Sequence, residues 1–187
     1  MGFDERWTRG VAAAQPVAPV VLWLRENFYA SLGLFVIRLY LGWTWLMAGV
    51  HKLSGFDASG YLKGALAKAT GDHPDVQWWW ARFLEGFAIP NVGLFNFLVP
   101  WGEVLVGIGL LLGCFTTAAV FFGAVMNFSF MFSGTVSTNP QMILLSIFLL
   151  IAGANAGRIG LDRWIVPYIR DAWAKARRSG KSVPVGN

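Results

Sequence analysis

The chain predicts an all-α polytopic membrane protein, a bundle of four transmembrane helices with short interfacial helices in its N-terminal segment and first outward loop. Three observations carry this. Of the 187 residues, 56% are hydrophobic and 13% charged, where a soluble domain carries about a quarter charged residues. The mean hydropathy is +0.53. Four apolar runs, residues 30–50, 92–113, 116–133 and 141–157, approach the roughly 20 residues that cross a bilayer as helix. They are continuous rather than alternating, and longer than the roughly 10 residues of a barrel strand, which disfavours a transmembrane barrel.

Three regions follow along the chain: residues 1–28 as an N-terminal cytoplasmic and interfacial segment, 29–167 as the membrane domain, and 168–187 as a basic cytoplasmic tail. Asp4, Glu5, Arg6 and Arg9, then Pro16 and Pro19, interrupt the first 20 residues, which leaves no apolar core for a signal peptide. The first span is expected to serve as its own insertion signal. Ahead of it, VVLWLRENF at 20–28 reads as an interfacial helix.

Between the first two spans, residues 57–69 (DASGYLKGALAKA) and 76–88 (VQWWWARFLEGFA) are short helical segments, separated by Gly71, Asp72, His73 and Pro74. Trp78, Trp79 and Trp80 suit the headgroup layer, where an indole buries its body and keeps its N–H wet. A sharper reading makes this stretch an outward lid over a pocket between the helices, with Arg82 meeting an anion. Pro90 and Asn91 then reset the chain for the second span.

After the fourth span come Arg158, Arg163, Arg170, Lys175, Arg177, Arg178 and Lys181 against only Asp162 and Asp171. The positive-inside tendency places that tail in the cytoplasm. An even number of spans brings the N-terminus to the same side of the plasma membrane, and the terminal SGKSVPVGN is expected to be disordered. This topology, with attraction to anionic lipid, accounts for the net charge of +5, and nucleic acid is not an expected partner. A lone cysteine, Cys114, can form neither an internal disulfide nor a redox dithiol.

Arg38 and Glu103 each sit near the middle of an apolar run, where an isolated charge costs several kcal/mol, on the order of the insertion scales. They are the first candidates for function. Arg38, Gly42, Trp45, Gly49 and Lys52 step by four and three along one face of the first span. Asn96, Pro100, Glu103 and Gly107 do so on the second, and Gly123, Asn127 and Phe130 on the third. The glycines read as helix contacts. Counting from each run's midpoint brings Arg38 and Glu103 within one or two turns in height, so an ion pair is geometrically possible; periodicity leaves open whether the two helices are neighbours.

His51 and Lys52 end the first span outward, where a histidine can shuttle protons or simply cap the helix. The other histidine, His73, lies in the loop, so no imidazole pair suggests haem and no thiolate or carboxylate cluster suggests a metal. Asn127 and Asn155 are buried amides that glue helices or meet a ligand.

The stretches RLYLGWTWLMAGVHKL (38–53), VPWGEVLVGIGLLLGCFT (99–116), NFSFMFSGT (127–135) and NAGRIGLDRW (155–164) resemble the DoxX/DoxD family of small four-helix membrane proteins. Its best-known member is DoxD, the membrane subunit of thiosulfate:quinone oxidoreductase, which works with a second subunit, DoxA; many relatives have no assigned activity. The resemblance implies a quinone-linked oxidoreductase subunit that passes electrons from thiosulfate or a related sulfur compound to quinone, with Arg38, His51, Lys52, Glu103, Asn127 and Arg158 as the matching polar positions.

On that expectation Glu103, His51 and Arg38 take catalytic roles, Trp45, Trp101 and Asn127 hold the quinone, and Lys52, Arg82 and Arg158 attract the anionic substrate. Expected partners are membrane lipid, quinone, and a DoxA-like subunit or further copies of this chain. The alternative is a noncatalytic membrane anchor or assembly subunit, in which the same charges only fix helix register. A transporter is the weakest reading, since neither inverted repeats nor paired broken helices are visible.

Overall fold

A computed structural model describes residues 17–179; the charged start of the chain and most of SGKSVPVGN, read above as disordered, lie outside it. The described residues form eight α-helices and no strand. These are α1 (Pro19–Glu26), α2 (Phe28–Leu53), α3 (Ala58–Ala67), α4 (Trp78–Phe83), α5 (Val92–Leu112), α6 (Thr116–Phe132), α7 (Asn139–Ala152) and α8 (Asp162–Ser179). A π turn, Leu84–Ala88, continues α4, and a 3₁₀ turn, Gly153–Gly157, continues α7.

Local chemistry sets the boundaries. Asn27 divides α1 from α2, its side-chain oxygen accepting from the Tyr29 amide at 2.7 Å. Asp57 does the same for α3, accepting from Ser59 and Gly60; both are N-caps that satisfy orphan amides. Gly113 ends α5 in the left-handed region, at φ 63°, a conformation that glycine adopts without steric cost.

Three segments are long and apolar enough to cross a membrane: α2, α5, and α7 with its 3₁₀ extension, Asn139–Gly157. With 17 residues α6 is shorter. These four form an up-and-down bundle in which α2 packs on α5, α5 on α6, α6 on α7 and α7 back on α2. Its interior holds Leu34, Leu41, Trp45, Val106, Leu110 and Leu149. Val36, Trp43, Phe97, Leu105, Phe121 and Leu144 stand exposed around the outside, the belt that lipid would cover. The chain is a membrane protein.

The α2–α5 contact is backbone on backbone. A Cβ at Gly107 would lie 2.5 Å from the Leu46 nitrogen, and one at Gly49 would lie 2.7 Å from the Val104 nitrogen. Small residues permit this approach, which supplies the packing that hydrophobicity cannot supply between helices in lipid.

At the end of the bundle where α2 stops, hereafter the loop end, α3, α4 and the π turn fold over the helices around their own cluster of Leu62, Val76, Leu84 and Ala88. Trp80 Nε1 donates to Ser133 Oγ at 2.9 Å, and the Tyr61 and Thr135 hydroxyls meet at 3.2 Å. These bonds tie the hairpin to the link between α6 and α7. The opposite, tail end is closed by α1, the 3₁₀ turn and the start of α8. Residues 168–179 of the stretch read as a tail belong to that helix, whose Trp164, Tyr168 and Trp173 are exposed. Its dense arginines and lysines masked an amphipathic helix.

Candidate functional site

The two intramembrane ions do not meet. Arg38 and Lys52 stand fourteen residues apart on α2, about 21 Å along the axis at roughly 1.5 Å per residue, and Glu103 bonds with Lys52. Lys52 Nζ lies 2.8 Å from each carboxylate oxygen. Glu103 is 1% exposed and the Lys52 side chain 31%, so the carboxylate is sealed in the bundle while its partner reaches the loop end. This register follows from the glycines. Gly49 lies against the Pro100 carbonyl and Val104, and Lys52, three residues later on the same face, then lies above Glu103. Placing both ions near their run midpoints made their depths look alike; Arg38 instead lies level with Gly113 at the end of α5, where its guanidinium packs against that glycine, and Glu103 lies ten residues back along α5, level with Gly49.

Arg38 is 1% exposed at the tail end. It donates to the Ala156 carbonyl at 3.0 Å and to the Ile159 carbonyl. Gly160, where a Cβ would lie 2.9 Å from the Arg38 guanidinium, and Gly113 leave room for that group. Asp162 interacts with its charge, and accepts from the Phe115 amide at 2.6 Å and the Thr116 amide at 2.8 Å. Those bonds hold Phe115 at φ 51°, a left-handed conformation that costs a non-glycine residue of order 1–3 kcal/mol. Asn155 completes the closure by donating to the Leu24 and Asn27 carbonyls. The NAGRIGLDRW stretch is thus the clasp that fastens the tail end, with Arg38 as its pin.

Beside the Lys52–Glu103 pair lies a cavity of about 270 Å³. Trp45, Lys52, Glu103, Asn127, Phe130 and Met142 line its depth, and Phe56, Tyr61, Thr135 and Asn139 its loop-end mouth. One wall is polar and the others are aromatic or thioether. Asn127 is 0% exposed, and neither its amide nitrogen nor its oxygen has a hydrogen-bond partner among the described residues. A buried polar group left unpaired costs about 1–3 kcal/mol, so this amide offers a donor and an acceptor to whatever enters. Lys52 uses two of its three N–H donors on Glu103 and stands 5.8 Å from the centre of the Phe130 ring.

The structure therefore brings together Glu103, Lys52, Trp45 and Asn127, and leaves five predicted site residues elsewhere. Arg38 belongs to the clasp. His51 is exposed, because it is one residue off the Lys52 face and a single helical step turns it about 100° outward. Trp101 is 44% exposed beside Phe97, carried to the outer face of α5 for the same reason. Arg82 is exposed over the Trp78 ring, away from the cavity. Arg158 is at the tail end, donating to the Glu26 carbonyl and stacking on Phe28.

Tyr61, Thr135, Asn139 and Met142 were missed as site residues. They come from a loop helix and from the ends of spans, where a 3.6-residue pattern does not say what faces inward. NFSFMFSGT, which ends at Thr135, contained the signal but not the direction.

The DoxX family pattern matches residues 33–140, from the second turn of α2 to the start of α7, the helices that build the cavity. The chain belongs to the DoxX family. No curated protein and no solved structure matches it. The match takes in Arg38, Lys52, Glu103, Asn127 and the NFSFMFSGT stretch, and stops before the remainder of the clasp at 155–162.

Proposed function

We propose that this DoxX protein is a quinone-linked oxidoreductase subunit of the plasma membrane, in which the loop-end cavity holds the quinone headgroup. The observation that carries the reading is Asn127, a wholly buried amide with neither polar atom paired among the described residues, lining a mostly apolar cavity with one polar wall beside a buried ion pair. The donor set fits a flat ring bearing two carbonyl oxygens: the Asn127 amide and the remaining Lys52 N–H can each donate to one, and Trp45 and Phe130 offer apolar faces.

A bound quinone would supply acceptance of two electrons and two protons. Lys52 and Glu103 would manage those protons: the half-exposed ammonium exchanges with water at the loop end, and the sealed carboxylate holds a negative charge that keeps the ammonium in place. The proposed donor is thiosulfate or a related small sulfur compound; two thiosulfate ions that join through a new S–S bond release the two electrons. In this reading both termini are cytoplasmic, the loop end faces outward, and a DoxA-like subunit or further copies of the chain complete the assembly.

Purified protein in liposomes with a quinone, and with its partner subunit if one co-purifies, should bleach the quinone absorbance when thiosulfate is added. Glu103→Gln should slow the reaction on the order of 10²-fold, as loss of a general acid or base does. Failure of the complete assembly to bleach counts against the proposal. A noncatalytic assembly role draws on a different observation, the Arg38 clasp, in which the guanidinium donates to the Ala156 and Ile159 carbonyls. It predicts that neutralising Arg38 or Glu103 loses complex formation, with no electron transfer to lose.

A further inference from the structure

At the tail end, four arginines from three parts of the chain converge on one cleft: Arg25 of α1, Arg158 after the 3₁₀ turn, and Arg163 and Arg170 of α8. The cleft holds about 420 Å³, and Asp162 is its single lining carboxylate among the described residues. Both oxygens of that carboxylate are already engaged by the Phe115 and Thr116 amides.

Two of the guanidinium groups are held by backbone carbonyls. Arg25 Nε donates to the Ile151 carbonyl at 2.9 Å and Arg158 to the Glu26 carbonyl at 3.2 Å. Fixing them in this way leaves their other N–H groups oriented, with no ion-pair partner among the described residues, which is the arrangement that binds phosphate oxygens. Arg158 and Arg163 also border a second cleft, whose other walls include Phe28, Ile159 and Trp164. Phe28 is 53% and Trp164 66% exposed. A cationic cleft and an apolar one therefore share two arginines at the end of the bundle.

We propose that this pair of clefts is a binding site for an anionic phospholipid, with the phosphate between Arg158 and Arg163, the headgroup toward Arg25 and Arg170, and the acyl chains along Phe28 and Trp164. The apolar cleft favours a lipid over free phosphate, because an inorganic ion has no use for it. The site is separate from the loop-end cavity and stands whether or not that cavity binds quinone.

The test uses the full chain purified in detergent, exchanged into vesicles of phosphatidylcholine with a minor share of phosphatidylglycerol, re-extracted and examined for retained lipid by native mass spectrometry. The wild type should retain phosphatidylglycerol well above its share in the vesicle. Arg158→Gln/Arg163→Gln should bind it about thirtyfold more weakly, and Arg158→Lys/Arg163→Lys should recover part of the loss. Lys175→Gln/Arg177→Gln removes the same charge from α8 outside the clefts and should leave retention unchanged; its thermal unfolding and that of the other variants confirm that each is folded. Equal retention by wild type and Arg158→Gln/Arg163→Gln, or equal losses in the two double variants, overturns the proposal. So does release of the lipid by millimolar inorganic phosphate, which would make this a site for the free ion.

Discussion

Replacing Lys52 with methionine removes an ammonium that is 31% exposed and leaves a carboxylate that is 1% exposed with no partner. Breaking a buried pair in this way costs about 3–5 kcal/mol, and the water available to Lys52 reduces that to roughly 2–4 kcal/mol. Glu103→Gln is the milder change. It leaves the cation orphaned, but a lysine that already reaches water can turn to it, so the cost should be about 1 kcal/mol. In Lys52→Met/Glu103→Gln no charge remains buried, and the double variant should be more stable than the sum of the single changes by about 1–3 kcal/mol. The assay is reversible unfolding in mixed micelles, followed by tryptophan fluorescence. Two results would refute the reasoning: equal costs for the two single variants, or strict additivity in the double. Either would mean that Lys52 and Glu103 do not share the sealed environment described.

Gly107→Ala forces a methyl to within 2.5 Å of the Leu46 backbone nitrogen and should destabilise the bundle by about 1–3 kcal/mol. Gly33→Ala on the same bundle, where nothing lies within 4 Å, should stabilise it by up to about 1 kcal/mol; thermal melts of the two in one detergent check the contrast. Asp162→Asn retains one acceptor oxygen for two amides, Phe115 and Thr116, and should cost about 1–2 kcal/mol, with faster hydrogen exchange at those amides. Asn127→Leu removes an unpaired buried amide and should leave the melting temperature level or raised, while weakening the binding of a water-soluble quinone measured by calorimetry. A stability loss above about 2 kcal/mol for Asn127→Leu would show that the amide is structural glue.

The spans were legible because apolar run length is a direct reading of bilayer thickness, and the helices stop within a few residues of where those runs end. Faces were legible too. Arg38, Gly42, Trp45 and Gly49 are all buried, as the four-three stepping required. Pairing was not. Which ion meets which depends on the vertical register of α2 against α5, and that register is set by where Gly49 and Gly107 let the backbones touch. No midpoint count contains it. Lys52 was read as an anion trap at the end of a span because its long stem, which lets it turn back to Glu103, is invisible in a pattern of positions. His51 and Trp101 show the converse limit, since a neighbour in sequence to a buried polar residue lies on a different face of the helix. The clasp was hidden for another reason: its contacts join residues more than a hundred apart, such as Arg38 with Ala156.

The most direct measurement is photo-crosslinking of an azido-quinone to the protein in liposomes, with the labelled positions mapped by peptide mass spectrometry. Labels should concentrate on Trp45, Tyr61, Phe130 and Met142, and fall sharply in Asn127→Leu. Labelling confined to the outer belt, at Phe97 and Trp101, and unaffected by that substitution, would contradict the assignment of the cavity.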